Sequence, residues 1–325
     1  MYPRTAADAI HHSTKHGTPA AHPQRLVSYR RLDPANAPTP FKEYRNLPIS
    51  PLSRELVAST LPAVRVLGGE RGNRSALDGS MLATLLYLAA GVTRVTASSA
   101  RGRIFFRAAM SAGNLHPVEV YVIAGPDVDG VPAGVHHFAP LEFGLTELRR
   151  GDFRAALSVT APVALVLTGL VWRTTWKYGE RGWRHLYWDA GTMLANLVAA
   201  ADGHGLDVRI LSGFADETVS RLVAIDGIDE VPLVVVTLAN ESGEVKVGPI
   251  SNRDPAPLSL EVTPAARNRS VASRDASSGD VAPRSPLSTL TADGAEATSW
   301  RGRGETGRSL YLLKGVGALA GSSLG

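Results

Sequence analysis

The chain lacks several features that would decide its chemistry at once. Its 325 residues include no cysteine, which excludes disulfide bonds, thiolate metal ligands and cysteine nucleophiles. No apolar run reaches membrane-spanning length and the start has no signal-peptide core, so we expect a cytoplasmic protein without a membrane segment. The 34 Lys and Arg residues are balanced by 30 Asp and Glu residues and form no basic stripe, so nucleic-acid binding is not predicted.

Common catalytic and metal-binding motifs are missing as well. The motif G-x-x-x-x-G-K-[ST] does not occur, so we predict no phosphate loop of that type. Histidines concentrate near the start of the chain but have no carboxylate companions, so we predict no metal site there; they are His11, His12, His16 and His22.

Composition divides the chain into three regions. Residues 1–60 are rich in Pro, His, Arg and Ser and predict an N-terminal arm with a short helix near Ala6–Lys15. Residues 61–250 hold the periodic apolar segments and are expected to form the folded domain. Residues 251–325 contain few large apolar side chains and predict a low-complexity, disordered tail, because such a segment buries too little apolar surface to offset its ordering entropy.

The central region mixes helical and strand patterns. Apolar stripes with capping residues predict helices, and β-branched apolar runs predict strands. The predicted helices span 78–94, 183–205 and 216–225, and the predicted strands span 118–124, 161–172 and 231–239, with a hairpin over 134–150 and a strand or turn over 206–214. Since the strand runs are apolar on both faces, we expect an α+β fold whose sheet is covered by helices.

The stretch SAGNLHP, residues 111–117, precedes the first buried strand and allows two interpretations. It can be a tight loop in which Gly113 and Asn114 adopt positive φ and Pro117 begins the strand. It can also face the polar edge of a ligand, because the Ser111 hydroxyl, the Asn114 amide and the backbone N–H groups offer donors and acceptors. The residues alone leave both open.

Three further stretches each have a functional and a structural interpretation. In WRTTWKYGERGWR, Lys177 can lower the pKa of the adjacent Tyr178 so that the pair moves protons, or the stretch is a solvated helix start. LSGF, residues 211–214, offers backbone donors or is an ordinary turn. RGNRS, residues 71–75, grips a phosphate through arginine and a helix N-terminus or is a solvated basic loop.

Taken in order, these stretches resemble the nitroreductase superfamily and, within it, the SagB/ThcOx-type dehydrogenases. The resemblance covers about residues 6 to 240. It is carried by AADAIHHSTKH in the arm, RAAMSAGNLHPVEVYVI at the loop and strand, GVHHFAPLEFGLTELRRGD at the hairpin and WKYGERGWRHLYWDAGTMLANLVAAADGHGL at the long helix.

The resemblance implies a three-layer α+β fold with a mostly antiparallel sheet, and a homodimer that binds FMN at its interface. A cofactor is required for redox chemistry because no natural side chain accepts a hydride. The residues that match the family's cofactor-binding positions, or offer donors beside them, are Arg74, Ser75, Arg107, Ser111, Gly113, Asn114, His116, Ser212, Gly213 and Phe214. Lys177 and Tyr178 match the family's catalytic acid/base pair.

In the azoline-oxidising members of this family, thiazoline or oxazoline rings of a precursor peptide become thiazoles or oxazoles. This function implies a cyclodehydratase and a precursor peptide as partners. The alternatives are a generic NAD(P)H-dependent nitro- or quinone reductase and a flavin-free scaffold of a biosynthetic complex. The chain departs from the family pattern at RSAL, residues 74–77, where Leu77 stands in place of a second arginine, and Arg71 or Arg107 is a candidate substitute.

Overall fold

A seven-stranded antiparallel sheet and a two-stranded ribbon form the framework of the protein. The computed structural model describes residue 11, residues 32–98 and residues 102–240. The strands within these ranges are β1 (Ile49–Pro51), β2 (Val92–Ser98), β3 (Gly102–Arg107), β4 (Val118–Ala124), β5 (Gly134–Ala139), β6 (Gly144–Arg150), β7 (Val163–Leu170), β8 (Asp207–Leu211) and β9 (Glu230–Ala239). The large sheet has the order β1–β6–β5–β4–β7–β9–β8, and β2 pairs with β3 in the ribbon.

Helices cover both faces of this sheet. The α-helices of the described residues are α1 (Ala63–Leu67), α2 (Gly79–Ala90), α3 (Val171–Tyr178), α4 (Gly182–Gly203) and α5 (Asp216–Val223). Leu82 of α2 and Leu186 of α4 pack in one core with Val120 and Val122 of β4. The alternate residues of β4 face the other way, and Ile123 among them packs in a second core with α5. The predicted α+β fold with a mostly antiparallel sheet is thereby confirmed.

Two predicted elements end earlier than the patterns suggested. The helix expected over 78–94 stops at Ala90, and Gly91 precedes the β-branched run that forms β2. Such residues lose side-chain freedom in a helix and pack well on a pleated surface, so the strand prevails. The strand expected over 161–172 stops at Leu170, and the chain continues directly into α3.

Other predictions are matched or cannot be compared. The long helix expected over 183–205 is α4, and the strand expected over 231–239 is β9. The short helix near Ala6–Lys15 lies outside the described residues except for His11, and so does the tail after residue 250. None of the described helices is both long enough and apolar enough to cross a membrane.

Candidate functional site

The residues between β3 and β4 form a tight loop, as one interpretation of SAGNLHP predicted. Ala112–Asn114 make one turn of 3-10 helix, with φ of +64° at Gly113 and +60° at Asn114. The φ of His116 is also positive, at +46°, which is uncommon for a residue with a Cβ. Whether this loop also serves a ligand depends on where its polar groups point.

The polar side chains of the loop are bonded within the chain. The Ser111 hydroxyl donates to Asp189 Oδ2 at 2.5 Å and accepts from the His116 backbone N–H at 2.8 Å. The Asn114 amide donates to the Phe105 carbonyl at 2.9 Å, and its oxygen then accepts from His116 Nε2 at 2.9 Å. In this arrangement the two side chains expected to contact a cofactor hold the loop in its conformation.

Asp189, on α4, is a site residue that the sequence analysis did not identify. Its carboxylate accepts from the Ala112 backbone N–H at 3.2 Å in addition to the Ser111 hydroxyl, and it is only 6% exposed. Burial raises the pKa of the Asp189 carboxyl, and the two hydrogen bonds oppose this shift without cancelling it. The sequence does carry a signal for Asp189, because it lies on the same helix face as Leu186 and Met193. Buried acids are rare, so an acid on an apolar face indicates a specific partner.

The end of α3 brings Lys177 and Tyr178 against Gly113. A Cβ atom at Gly113 would lie 2.7 Å from Lys177 Nζ and 2.6 Å from Tyr178 Oη. The amine and the phenol therefore converge on a point of the loop that tolerates only glycine, because of both its φ and its lack of space. The Tyr178 ring in turn packs on His185 of α4, with 4.4 Å between ring centroids.

One prediction about this pair is wrong. We expected Lys177 to lower the pKa of the Tyr178 phenol, but burial raises that pKa and the charge of Asp189 raises it further. Lys177 Nζ lies 5.4 Å from the centroid of the Tyr178 ring. Because a raised pKa keeps the phenol protonated at neutral pH, Tyr178 is a hydrogen-bond donor there.

Arg107, the last residue of β3, and His116, within the loop, line one cavity. The Arg107 guanidinium donates to the Pro40 carbonyl at 3.0 Å, and its buried Nε has no hydrogen-bond partner in the described part of the chain. Burial, helped by the nearby Arg173, lowers the pKa of Arg107 to about 10. Burial and the charges of Arg107 and Arg173 lower the pKa of His116 to about 3, so its imidazole is neutral at physiological pH.

A cavity of about 10 Å³ lies between the loop and α4, and Arg107, Ser111, His116 and Asp189 are among its lining residues. That volume holds no more than about one water molecule. A larger ligand would therefore contact the loop from outside this cavity.

The candidate phosphate residues lie at a different place. The Ser75 N–H donates to the His204 carbonyl at 3.0 Å, which puts Arg74 and Ser75 at the C-terminal end of α4. Arg71, a proposed substitute for the missing arginine, pairs with Asp202 at 3.3 Å and with Asp207 at 3.0 Å.

The helix α4 separates this group from the loop. Asp189, which holds the loop, precedes Gly203 by fourteen residues, or about 21 Å of helix. One chain thus keeps Arg71, Arg74 and Ser75 apart from the loop, whereas Arg107 lies beside it.

The remaining candidates form the turn between β8 and α5. Ser212 and Gly213 are exposed, and Phe214 packs against the second core. A Cβ atom at Gly213 would meet nothing within 4 Å, so this turn borders open space. No cluster of potential metal ligands occurs among the described residues.

The fold is that of the nitroreductase-like α+β proteins. The sequence model of the Nitroreductase family matches residues 73–240, just over half of the chain and the part that holds the loop, the Lys–Tyr pair and α4. The chain therefore belongs to the nitroreductase family.

Three known proteins are similar to this chain in sequence. MJ1384 of Methanocaldococcus jannaschii, whose name places it provisionally among the nitroreductases, is 28% identical over 49% of this chain and 79% of its own length. The trifolitoxin-processing protein TfxB of Rhizobium leguminosarum is 29% identical over 47% of this chain and 44% of its own length. The microcin B17-processing protein McbC of Escherichia coli is 27% identical over 38% of this chain and 51% of its own length. The chain spans about half the length of these two processing proteins.

Proposed function

We propose that this nitroreductase-family oxidoreductase is an FMN-dependent, SagB-type dehydrogenase that oxidises azoline rings in a precursor peptide. The observation that carries the proposal is the convergence of Lys177 Nζ and Tyr178 Oη on Gly113. It supplies a positioned proton-transfer pair beside a loop shaped for close approach, and reduction of a nitro group has no need of such a pair. The names of two relatives, which process microcin B17 and trifolitoxin, are in line with this class of substrate.

The residues of the site are of the types that bind a flavin. A Cβ atom at Gly113 would fill the space in front of the Lys–Tyr pair, so the glycine keeps a cradle open there. Backbone N–H groups of Ser212–Phe214 are the donors that would face the polar edge of the ring system, since those of Ala112 and His116 in the loop are bonded within the chain. Arg74 with Ser75 would hold the phosphate. Arg107 lies buried beside the loop, where it lines the same cavity as Ser111 and His116.

A homodimer would complete this site. Because one chain places Arg74 with Ser75 and its loop at different points of α4, a second copy is the natural source of one of the two sets. Large apolar side chains also stand exposed beside the loop, since Met110 is 79% exposed and Trp188 is 48% exposed. The Thr192 hydroxyl donates to the Met110 carbonyl at 2.8 Å, which joins both to one face of α4. Burial of that face between two copies would remove apolar surface from water.

The proposed reaction removes a hydride from one ring carbon of the azoline and a proton from its neighbour, and the electrons of the broken C–H bond form the new ring double bond. FMN, when bound, supplies the acceptor for the hydride. Lys177 is the proposed acceptor of the proton. Tyr178, protonated at neutral pH, donates a hydrogen bond to the ring heteroatom or to the Lys177 amine and orients the reacting edge.

The alternative is a generic NAD(P)H-dependent nitro- or quinone reductase, and the similarity to MJ1384 over most of that protein's length favours it. A single-turnover experiment separates the two. The purified protein is first examined for released FMN, then mixed anaerobically with a thiazoline peptide or with NADH and NADPH. The proposal predicts that the thiazoline peptide bleaches the flavin and loses two hydrogen atoms by mass spectrometry. Bleaching by a nicotinamide alone, with the peptide unchanged, would support the reductase.

The same experiment tests the third possibility. A colourless protein that fails to take up added FMN would be a flavin-free scaffold. A cyclodehydratase and its precursor peptide remain the expected partners under the dehydrogenase proposal, since they produce the azoline.

A further inference from the structure

We propose that Arg173, held by Glu119, is a positioning residue that sets the catalytic pair of α3 against the loop of residues 111–117 (the SAGN loop). The catalytic role of the pair rests on the proposed function, whereas its positioning by Arg173 is argued from contacts alone. Arg173 is 1% exposed, and it is the largest of the fully buried side chains in the described residues. Arg173 belongs to WRTTWKYGERGWR, which one interpretation makes a solvated helix start, so its burial needs another explanation.

Arg173 joins three separate segments at one point. Its NH1 group donates to the His116 carbonyl at 2.8 Å and to Glu119 Oε1 at 2.5 Å, and its Nε donates to the Thr39 carbonyl at 3.1 Å. The hydrogen bond to the His116 carbonyl joins the first turn of α3 to the C-terminal end of the loop. A planar guanidinium can serve acceptors in several directions at once, whereas the ammonium of lysine is a single point of charge.

The geometry of α3 carries this attachment to the catalytic pair. Lys177 follows Arg173 by four residues, so both side chains lie on the same face of the helix, about 6 Å apart along its axis. A second bond reinforces the attachment, because the Leu170 N–H donates to the Pro117 carbonyl at 2.8 Å just before α3 begins. The start of α3 is thus fixed to the loop, and its end presents Lys177 and Tyr178 to Gly113.

Glu119 holds the guanidinium in place. Burial alone would raise the pKa of the Glu119 carboxyl, but the charge of Arg173 and the hydrogen bond from His137 outweigh it and keep that pKa far below its usual range. His137 Nε2 lies 2.9 Å from Glu119 Oε2, so both carboxylate oxygens are occupied. A carboxylate with fixed oxygens gives the arginine one orientation.

The test uses the Tyr178 phenol as a local reporter that needs neither flavin nor substrate. The full chain carries eight tyrosines, which are labelled with ¹³C at the ζ carbon, and the Tyr178 signal is assigned with Tyr178→Phe. In the parent protein burial and Asp189 raise the pKa of Tyr178. In Arg173→Lys the end of α3 should move away from the loop, and the Tyr178 titration should fall toward about 10, the value of a solvated tyrosine.

Arg154→Met is the matched control. Arg154 also pairs with two carboxylates, Asp127 at 3.0 Å and Asp152 at 2.7 Å, but it lies at the opposite end of β4, against Gly125. Its loss should lower stability and leave the Tyr178 titration unchanged.

If Arg173→Lys does not fold, Glu119→Gln carries the test. It keeps the side-chain volume and should move the Tyr178 titration in the same direction. The inference is overturned if a folded Arg173→Lys, or a folded Glu119→Gln in its place, keeps the parental titration of Tyr178, or if Arg154→Met shifts that titration equally. Failure of azoline oxidation in the parent protein would overturn the proposed function and leave this result intact.

Discussion

Replacing Asp189 with asparagine should loosen the SAGN loop by a measurable and bounded amount. The carboxylate accepts the Ser111 hydroxyl at 2.5 Å and the Ala112 N–H at 3.2 Å. An asparagine keeps one acceptor oxygen, which the Ser111 hydroxyl and the Ala112 N–H must then share, and it places an NH2 donor where the second acceptor oxygen stood. A buried donor without an acceptor costs about 1–3 kcal/mol. For a domain of this size we therefore expect a fall in Tm of about 2–12 °C.

A double-mutant cycle with Ser111→Ala isolates the bond itself. Because both single variants remove the same Ser111–Asp189 contact, the double variant should cost less than the sum, with a coupling of about 0.5–3 kcal/mol. Asp152→Asn is the control, since Asp152 is a largely exposed partner of Arg154 and should change stability by no more than about 0.5 kcal/mol. Additive costs in urea unfolding, within about 0.5 kcal/mol, would refute the assignment of Asp189 as the partner of the loop.

The pH dependence of this variant has a definite sign. Because burial raises the pKa of Asp189 above its unfolded value, its contribution to stability is fully present below the unfolded pKa and is lost as pH rises through the folded pKa. The parent should therefore lose stability relative to Asp189→Asn as pH rises from about 4 toward neutrality. If urea unfolding shows that the parent instead gains stability relative to Asp189→Asn over this range, burial is not the dominant cause of the shift.

Two other substitutions and one truncation test separate predictions. Gly113→Ala should destabilise the protein more than Gly102→Ala, because both positions have positive φ but only a methyl group at Gly113 would meet Lys177 and Tyr178. Equal losses of unfolding free energy in denaturant would show that this clash has no energetic effect. Asn114→Ala should weaken FMN binding by no more than about 1–3 kcal/mol, and unchanged affinity in a flavin titration would exclude Asn114 from the site. Truncation after Ile250 should leave Tm nearly unchanged, because the removed segment is poor in large apolar residues, and a large drop in calorimetry would show that it docks on the body.

The sheet and the long helix were predictable because their patterns are local. The runs that became β4, β7 and β9 are mainly apolar and β-branched, and the stripe through Leu186 and Met193 has the helical period. The boundary of α2 was missed because the apolar pattern continued past Gly91 into residues that favour a strand. The positive φ at Gly113 and Asn114 was also predictable, since small and amide residues before a proline favour turns.

The site contacts were not predictable from local pattern, because they depend on residues that are distant in sequence. The direction of the Tyr178 pKa shift is set by burial and by Asp189, and the sequence analysis considered only the adjacent Lys177. The burial of Arg173 depends on Glu119 and on the His116 carbonyl, which reach it from another strand and from the loop. Only the resemblance to a family linked Lys177 and Tyr178 to the loop before the structure brought them together at Gly113.

The most direct test of the central claim is the rate of azoline oxidation in Lys177→Ala and Tyr178→Phe with FMN bound. A positioned acid/base group contributes about 10²–10⁴-fold in rate, so both variants should lose thiazoline oxidation by that order. Both should retain the flavin, the parental unfolding transition and reduction of the flavin by dithionite. Oxidation of the thiazoline peptide at the parental rate by both variants would contradict the account, and loss of the fold or of FMN would show that the pair serves the structure.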